Sequence, residues 1–208
     1  NDEILIIDLG TPTNATLNAD ASVTTHSITF SSSDAAPTVG FSATSSNITE
    51  TDEDAITNLE IYLSTRSEVA MSVFASGAVG TAETADFSVN SAVAITIDAS
   101  TALVNNLTAN VPVTVIGDLI DEENQTFTVT LSAATDATVS GLTGVHTVTI
   151  VDNDAPPVVR MFYNGDTEVQ VLDIAEGNGS FDFRVALNGA TEKTVTIDYE
   201  VDALVSTT

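Results

Sequence analysis

HSITFSSSD at His26–Asp34 and HTVTIVDND at His146–Asp154 are one phrase written twice, each followed closely by a proline and a new apolar run. The two copies begin at positions 26 and 146, an offset of 120. Asn14-Ala15-Thr16-Leu17 answers Asp136-Ala137-Thr138-Val139, and Leu5, Ile7 and Leu9 answer Phe127, Val129 and Leu131 at an offset of 122. Solenoid repeats run about 20–50 residues, so a period this long marks a whole domain recurring. The chain therefore divides into the C-terminal part of one repeat (1–36), a complete domain (37–155) and the N-terminal part of a following repeat (156–208). The two flanks together are shorter than one period. That points to a polypeptide continuing at both ends. A second reading is a polymer whose copies complete one another's open sheets by strand addition, invited by Ile4 and Ile6, which make the outer face of the first strand apolar too.

Inside the complete domain, apolar and polar residues alternate in short runs, the period of a half-buried strand. Strands are expected at Thr38–Ala43, Thr57–Ser64, Val69–Ala75, Val93–Asp98, Ala109–Ile116, Thr126–Ser132 and His146–Val151. Along Thr126–Leu131, Phe127, Val129 and Leu131 share one face and the threonines the other. Val158–Tyr163, Ser180–Leu187 and Thr194–Glu200 repeat the first three strands. No stretch carries a helical period with caps at both ends. Seven short strands in one domain predict an all-β fold, an antiparallel β-sandwich.

Thirty acidic residues face four basic ones (Arg66, Arg160, Arg184 and Lys193), a net charge of −26. Such a surface cannot neutralise phosphates, so nucleic acid is excluded as a partner. It also repels itself unless cations or salt intervene. With 43% hydrophobic residues, the chain can still build cores. There is no cysteine, hence no disulfide or thiolate chemistry. No apolar run of about 18 residues appears, so neither a leader nor membrane insertion is expected.

The acidic residues cluster at strand ends that can share one pole of a sandwich. Asp152 and Asp154 end the last strand; Asp118, Asp121, Glu122 and Glu123 precede Thr126; Asp86 lies in a loop, and Glu50 lies between the first two strands. Hard cations such as Ca²⁺ take six to eight oxygen ligands, largely carboxylates. Without a cation, gathered carboxylates repel and raise one another's pKa. Solvated turn residues would give similar spacing, since Asp is common in turns.

These pieces resemble tandem Calx-beta domains of large bacterial extracellular proteins. The matching features are the Glu50 loop, Gly80-Thr81-Ala82 with Ala85-Asp86-Phe87, Gly117-Asp118 leading through Glu122 to Thr126–Leu131, and the closing Asp152-Asn153-Asp154. The resemblance implies a seven-stranded immunoglobulin-like sandwich with Ca²⁺ at one end, held by Glu50, Asp86, Asp118, Glu122, Asp152 and Asp154. Two departures matter. The first copy closes with Ser32-Ser33-Asp34, hydroxyls that replace carboxylates poorly, and in the third copy Glu176 matches Glu50 after an insertion around Asp166–Asp173.

Catalysis is not expected. There is no G-x-S-x-G, H-E-x-x-H or P-loop, the serines lack a base partner, and no Trp is present to stack sugars. His26 and His146 occupy one repeat position in different modules and are read as structural or solvated. The expected function is a calcium-binding structural or adhesion module of a long repetitive extracellular protein, a spacer or fibre-forming unit at the cell surface or in a biofilm matrix. Its expected partners are neighbouring repeats, and other copies if strands are exchanged. Alternatives are a calcium-sensing regulatory domain and a carbohydrate-binding module of a secreted enzyme. Pro156-Pro157 makes a short, semi-rigid joint to the third module.

Overall fold

A computed structural model describes residues 2–20, 24–31, 33, 35–67, 69–91, 94–98, 107–163, 167–168, 177 and 180–202. The chain forms two compact units, Asn1–Ala36 and Pro37–Thr208. The first is a hairpin of β1 (Glu3–Asp8) and β2 (Thr25–Phe30), paired antiparallel from Glu3↔Phe30 to Asp8↔Thr25. Ile4, Leu5, Ile6 and Ile7 all stand exposed on it, two on each face.

The second unit opens with β3 (Thr38–Phe41), β4 (Ser45–Thr49), β5 (Ala55–Leu63) and β6 (Met71–Val79). It continues through β7 (Phe87–Val89), β8 (Ile95–Ile97), β9 (Thr108–Val115), β10 (Ile120–Asp121), β11 (Gln125–Thr135), β12 (Thr138–Val139) and β13 (Val145–Val151). One five-stranded sheet has the order β4-β13-β11-β6-β8, the other β12-β3-β5-β9-β7. Their facing side chains make one core, from Val39, Phe41, Ile61, Val111, Val113 and Val115 on one sheet to Met71, Val73, Phe127, Val129 and Val148 on the other. Each buried Val, Ile or Phe stabilises the fold by about 1.5–3 kcal/mol relative to exposure. Alternation sets the register as expected: in β11, Phe127, Val129 and Leu131 are buried while Thr126, Thr128 and Thr130 are half-exposed.

Two expectations change. The first strand is split: the chain pairs with β5 through Val39–Phe41, crosses at Ser42–Thr44, and joins the opposite sheet as β4. There it runs parallel to β13, and β12 likewise runs parallel to β3, so the sandwich is mixed rather than wholly antiparallel. The polar run Ser45–Thr49 gave no apolar alternation. What holds it is the neighbouring backbone, Ile48 packed against the core, and Ser46, whose Oγ lies 2.8 Å from Nε2 of buried His146. The other ring nitrogen of His146 lies 2.6 Å from the Ala43 carbonyl, and Phe41 covers the ring at 5.3 Å, so this histidine is a core residue. His26, its repeat counterpart, is exposed on β2.

Within the same compact unit, the segment after Pro156-Pro157 contributes β14 (Val159–Tyr163), β15 (Thr167–Glu168), β16 (Phe183–Leu187) and β17 (Ala190–Thr191), with β14 at the centre of a three-stranded sheet. Arg184 lies over the Phe162 ring at 4.6 Å. Thr194–Glu200, expected as a strand, is irregular. Alternation of Val195, Ile197 and Tyr199 cannot by itself make a strand when no neighbouring strand pairs with the backbone groups. Ser32, Asp34, Val93, most of the Asp166–Asp173 insertion and Glu176 lie outside the described residues. No described helix is long and apolar enough to cross a membrane.

Candidate functional site

The pole at the C-terminal end of β13 is assembled from loops that the core holds in place. Phe87 stacks on Phe127 with ring centroids 4.0 Å apart and planes within 5° of parallel, so the residue before it, Asp86, is fixed at the rim. The Gly80-Thr81-Ala82 stretch is zipped onto the start of β11: Ala82 N donates to the Thr126 carbonyl (3.0 Å), and Thr126 N donates to Thr81 Oγ1 (2.8 Å). Gly117 brings its strand against the Glu50 loop so closely that a Cβ would fall onto the carbonyl oxygens of Thr51 and Glu53. Gly117→Ala is therefore expected to destabilise the fold by roughly 1–3 kcal/mol, measured by urea unfolding. An unchanged midpoint would mean that this approach relaxes freely.

Each of the six residues expected as ligands has at least one of the others as a like-charged neighbour at this pole. Glu50 is buried, with Asp118, Asp152 and Asp154 as like-charged neighbours; burial first, then Asp118, raises its pKa against a lowering hydrogen bond from Asp118 N (3.2 Å). Glu122, only 9% exposed, has its pKa pushed up to about 7, by burial and then by Glu192, Asp118, Asp86 and Glu50. Asp154 is raised by burial, then by Asp152, Asp52, Asp118 and Asp121. The end of the sandwich is thus a pocket of mutually repelling carboxylates.

Backbone donors orient most of them. Asp118 Oδ1 accepts from Ile120 N (2.7 Å), Asp86 Oδ2 from Glu83 N (2.6 Å) and Asp152 Oδ1 from Asp154 N (3.2 Å). Gln125 Nε2 donates to Glu122 Oε2 (2.8 Å). Two buried oxygens here, Asp154 Oδ2 and Gln125 Oε1, have no hydrogen-bond partner. A buried unsatisfied oxygen costs about 1–3 kcal/mol, more if charged.

Among the described residues, no three His, Asp or Glu side chains stand already arranged to hold a metal ion. The donor chemistry nonetheless fits a hard cation. Most of these carboxylates use one oxygen on the protein and leave another available, and Asp154 presents an orphaned one.

The sequence pattern did not single out Asp52, Glu192, Thr191 and Lys193, which also reach this pole. Lys193 Nζ donates to Asp121 Oδ1 at 2.7 Å and lies 3.7 Å from Asp152 Oδ2. Hydrogen bonds from Lys193 and then Thr191 hold the Asp121 carboxyl below its ordinary range, and the bond to Asp121 raises Lys193. The signal for Lys193 was its rarity as one of four basic residues. The pattern did not show that the segment after Pro156-Pro157 meets this pole through β17 and Lys193.

A mixed two-sheet sandwich with carboxylates from several loops converging at one end defines a class of all-β module with an acidic pole. Residues 32–154 match the Calx-beta domain family, and the chain belongs to it. Among solved structures it is similar to the apo form of the Calx CBD1 domain, with a TM-score of 0.47 and 16% identity over 57% of this chain and 98% of that one. It is also similar to CBD12 of CALX1.2 (0.48, 14% identity, 72% and 69% covered). The calcium binding domain CBD12 of CALX1.1 gives 0.46, at 14% identity over 73% and 75%. No curated protein matches the chain.

Proposed function

We propose that the chain is a non-catalytic, calcium-binding spacer from a long repetitive bacterial protein displayed outside the cell, working in adhesion or in a biofilm matrix. The observation that carries the reading is the convergence of Glu50, Asp86, Asp118, Glu122, Asp152 and Asp154 at one pole, with an orphaned Asp154 oxygen. These six would hold the ion, which would supply positive charge that Lys193 alone, engaged by Asp121, does not give them. Membership of the Calx-beta domain family supports it. Repetition of the motif at an offset of 120 supports the spacer role, since a mechanical element is made longer by adding copies. Absence of cysteine suits a chain that folds after export without oxidative help.

Calorimetric titration of the chain with Ca²⁺, with Mg²⁺ as control, tests the metal reading. Calcium is expected to bind and magnesium to bind far more weakly, because Mg²⁺ demands a small octahedral cage that these separated carboxylates do not offer. Absence of calcium heat together with an unchanged melting curve would end it.

A further inference from the structure

The same pole carries a fastening that needs no metal. Asp121 belongs to β10 and is only 3% exposed. Its strand pairs in parallel with β17 of the following module, Ile120 with Ala190 and Asp121 with Thr191. Three donors of that module converge on Asp121. Glu192 N donates to its main-chain carbonyl (3.1 Å). Thr191 Oγ1 lies 2.9 Å from that carbonyl and 2.8 Å from Oδ2. Lys193 Nζ takes Oδ1 at 2.7 Å. The Thr191 hydroxyl is itself aimed, because Lys193 N donates to it at 3.0 Å, leaving its proton for Asp121.

The central module contains the same turn. Four residues after the end of β5, Ser67 Oγ accepts from Val69 N at 3.1 Å, as Thr191 does four residues after the end of β16. The hydroxyl is therefore a feature of the module, whereas Lys193 stands where the central module has Val69 and is special to this joint. A carboxylate this buried is costly to leave unpaired, so the closed contact requires the Thr191 and Lys193 donors.

We propose that Asp121 and the Thr191–Lys193 turn form a metal-independent latch that sets the orientation of the following module on the central one. With the Pro156-Pro157 linker it gives the joint two points of attachment, and a joint held at two points resists bending that a linker alone allows. The latch stands whether or not the pole binds calcium.

The chain lacks cysteine, so spin labels at Asn58→Cys and Asp182→Cys report one distance between modules by double electron–electron resonance. In calcium-free buffer the otherwise unchanged chain is expected to give one narrow distribution. Lys193→Met and Thr191→Val together are expected to widen it at least twofold, and each alone by less. Thr191 ends β17 and Lys193 lies in the bend after it, both half-buried and outside the sandwich core, and circular dichroism checks that the sandwich persists. A distribution already broad without calcium, or one equally narrow in the double variant, overturns the latch.

Discussion

Raising free calcium to a thousandfold above its dissociation constant is expected to stabilise the folded chain by about 4 kcal/mol, because the ion binds the folded form and not the unfolded one. For a domain of this size that is a melting-point rise of roughly 10–20 °C. The cause lies in the crowding of carboxylates at the pole. Glu50 and Glu122 are buried among like charges and Asp154 Oδ2 has no partner. The folded state therefore carries repulsion that the unfolded chain escapes by moving the carboxylates apart, and a divalent ion removes it. Replacing Glu122 by Gln and Asp118 by Asn keeps size and hydrogen bonding while deleting two charges. That variant is expected to melt higher than the unsubstituted chain in chelator, yet to gain little from calcium. Scanning calorimetry of both chains, with and without calcium, separates the two effects. A double variant with the full calcium shift would show that the ion binds elsewhere.

The parts of the fold legible in the sequence are those where one side chain period has one meaning. Phe127, Val129 and Leu131 alternate with threonines and are buried in turn, as a strand with one wet face requires. Ser45–Thr49 was illegible because its place is fixed by a backbone neighbour and by His146, one hundred residues away. Thr194–Glu200 shows the converse failure, a strand pattern without a partner strand. At the site, the acidic clusters could be located because Asp and Glu at strand ends have few packing duties. The joint could not: Asp121 sits among three acidic neighbours in sequence, Asp118, Glu122 and Glu123, and nothing local distinguishes it from Glu122. Only the fold shows that one meets Lys193, seventy-two residues on, while the other is left among carboxylates.

That difference predicts an uncommon pH dependence for the calcium-free chain. Glu122 has a pKa of about 7 when folded, against an ordinary 4.5. Between these values the folded state binds more protons than the unfolded one, so stability falls as pH rises. The contribution is fully present below the unfolded value and gone once pH passes the folded one. It amounts to at most about 3 kcal/mol at 1.36 kcal/mol per unit. Glu50 and Asp154, also raised, act in the same sense. Asp121 opposes them, but in another window: its lowered pKa contributes stability above its unfolded value, which is lost only as pH falls below about 3.8. Urea unfolding without calcium should therefore show greatest stability near pH 4–5 and a decline towards 8, where many proteins are still near their maximum. Glu122→Gln should flatten the decline between 5 and 7. Calcium must displace the Glu122 proton, so its affinity should fall by nearly tenfold per unit below pH 7. A stability profile that rises from pH 5 to 8 in the calcium-free chain would show that the carboxylates at this pole are solvated and independent, and the crowding inferred for them would be wrong.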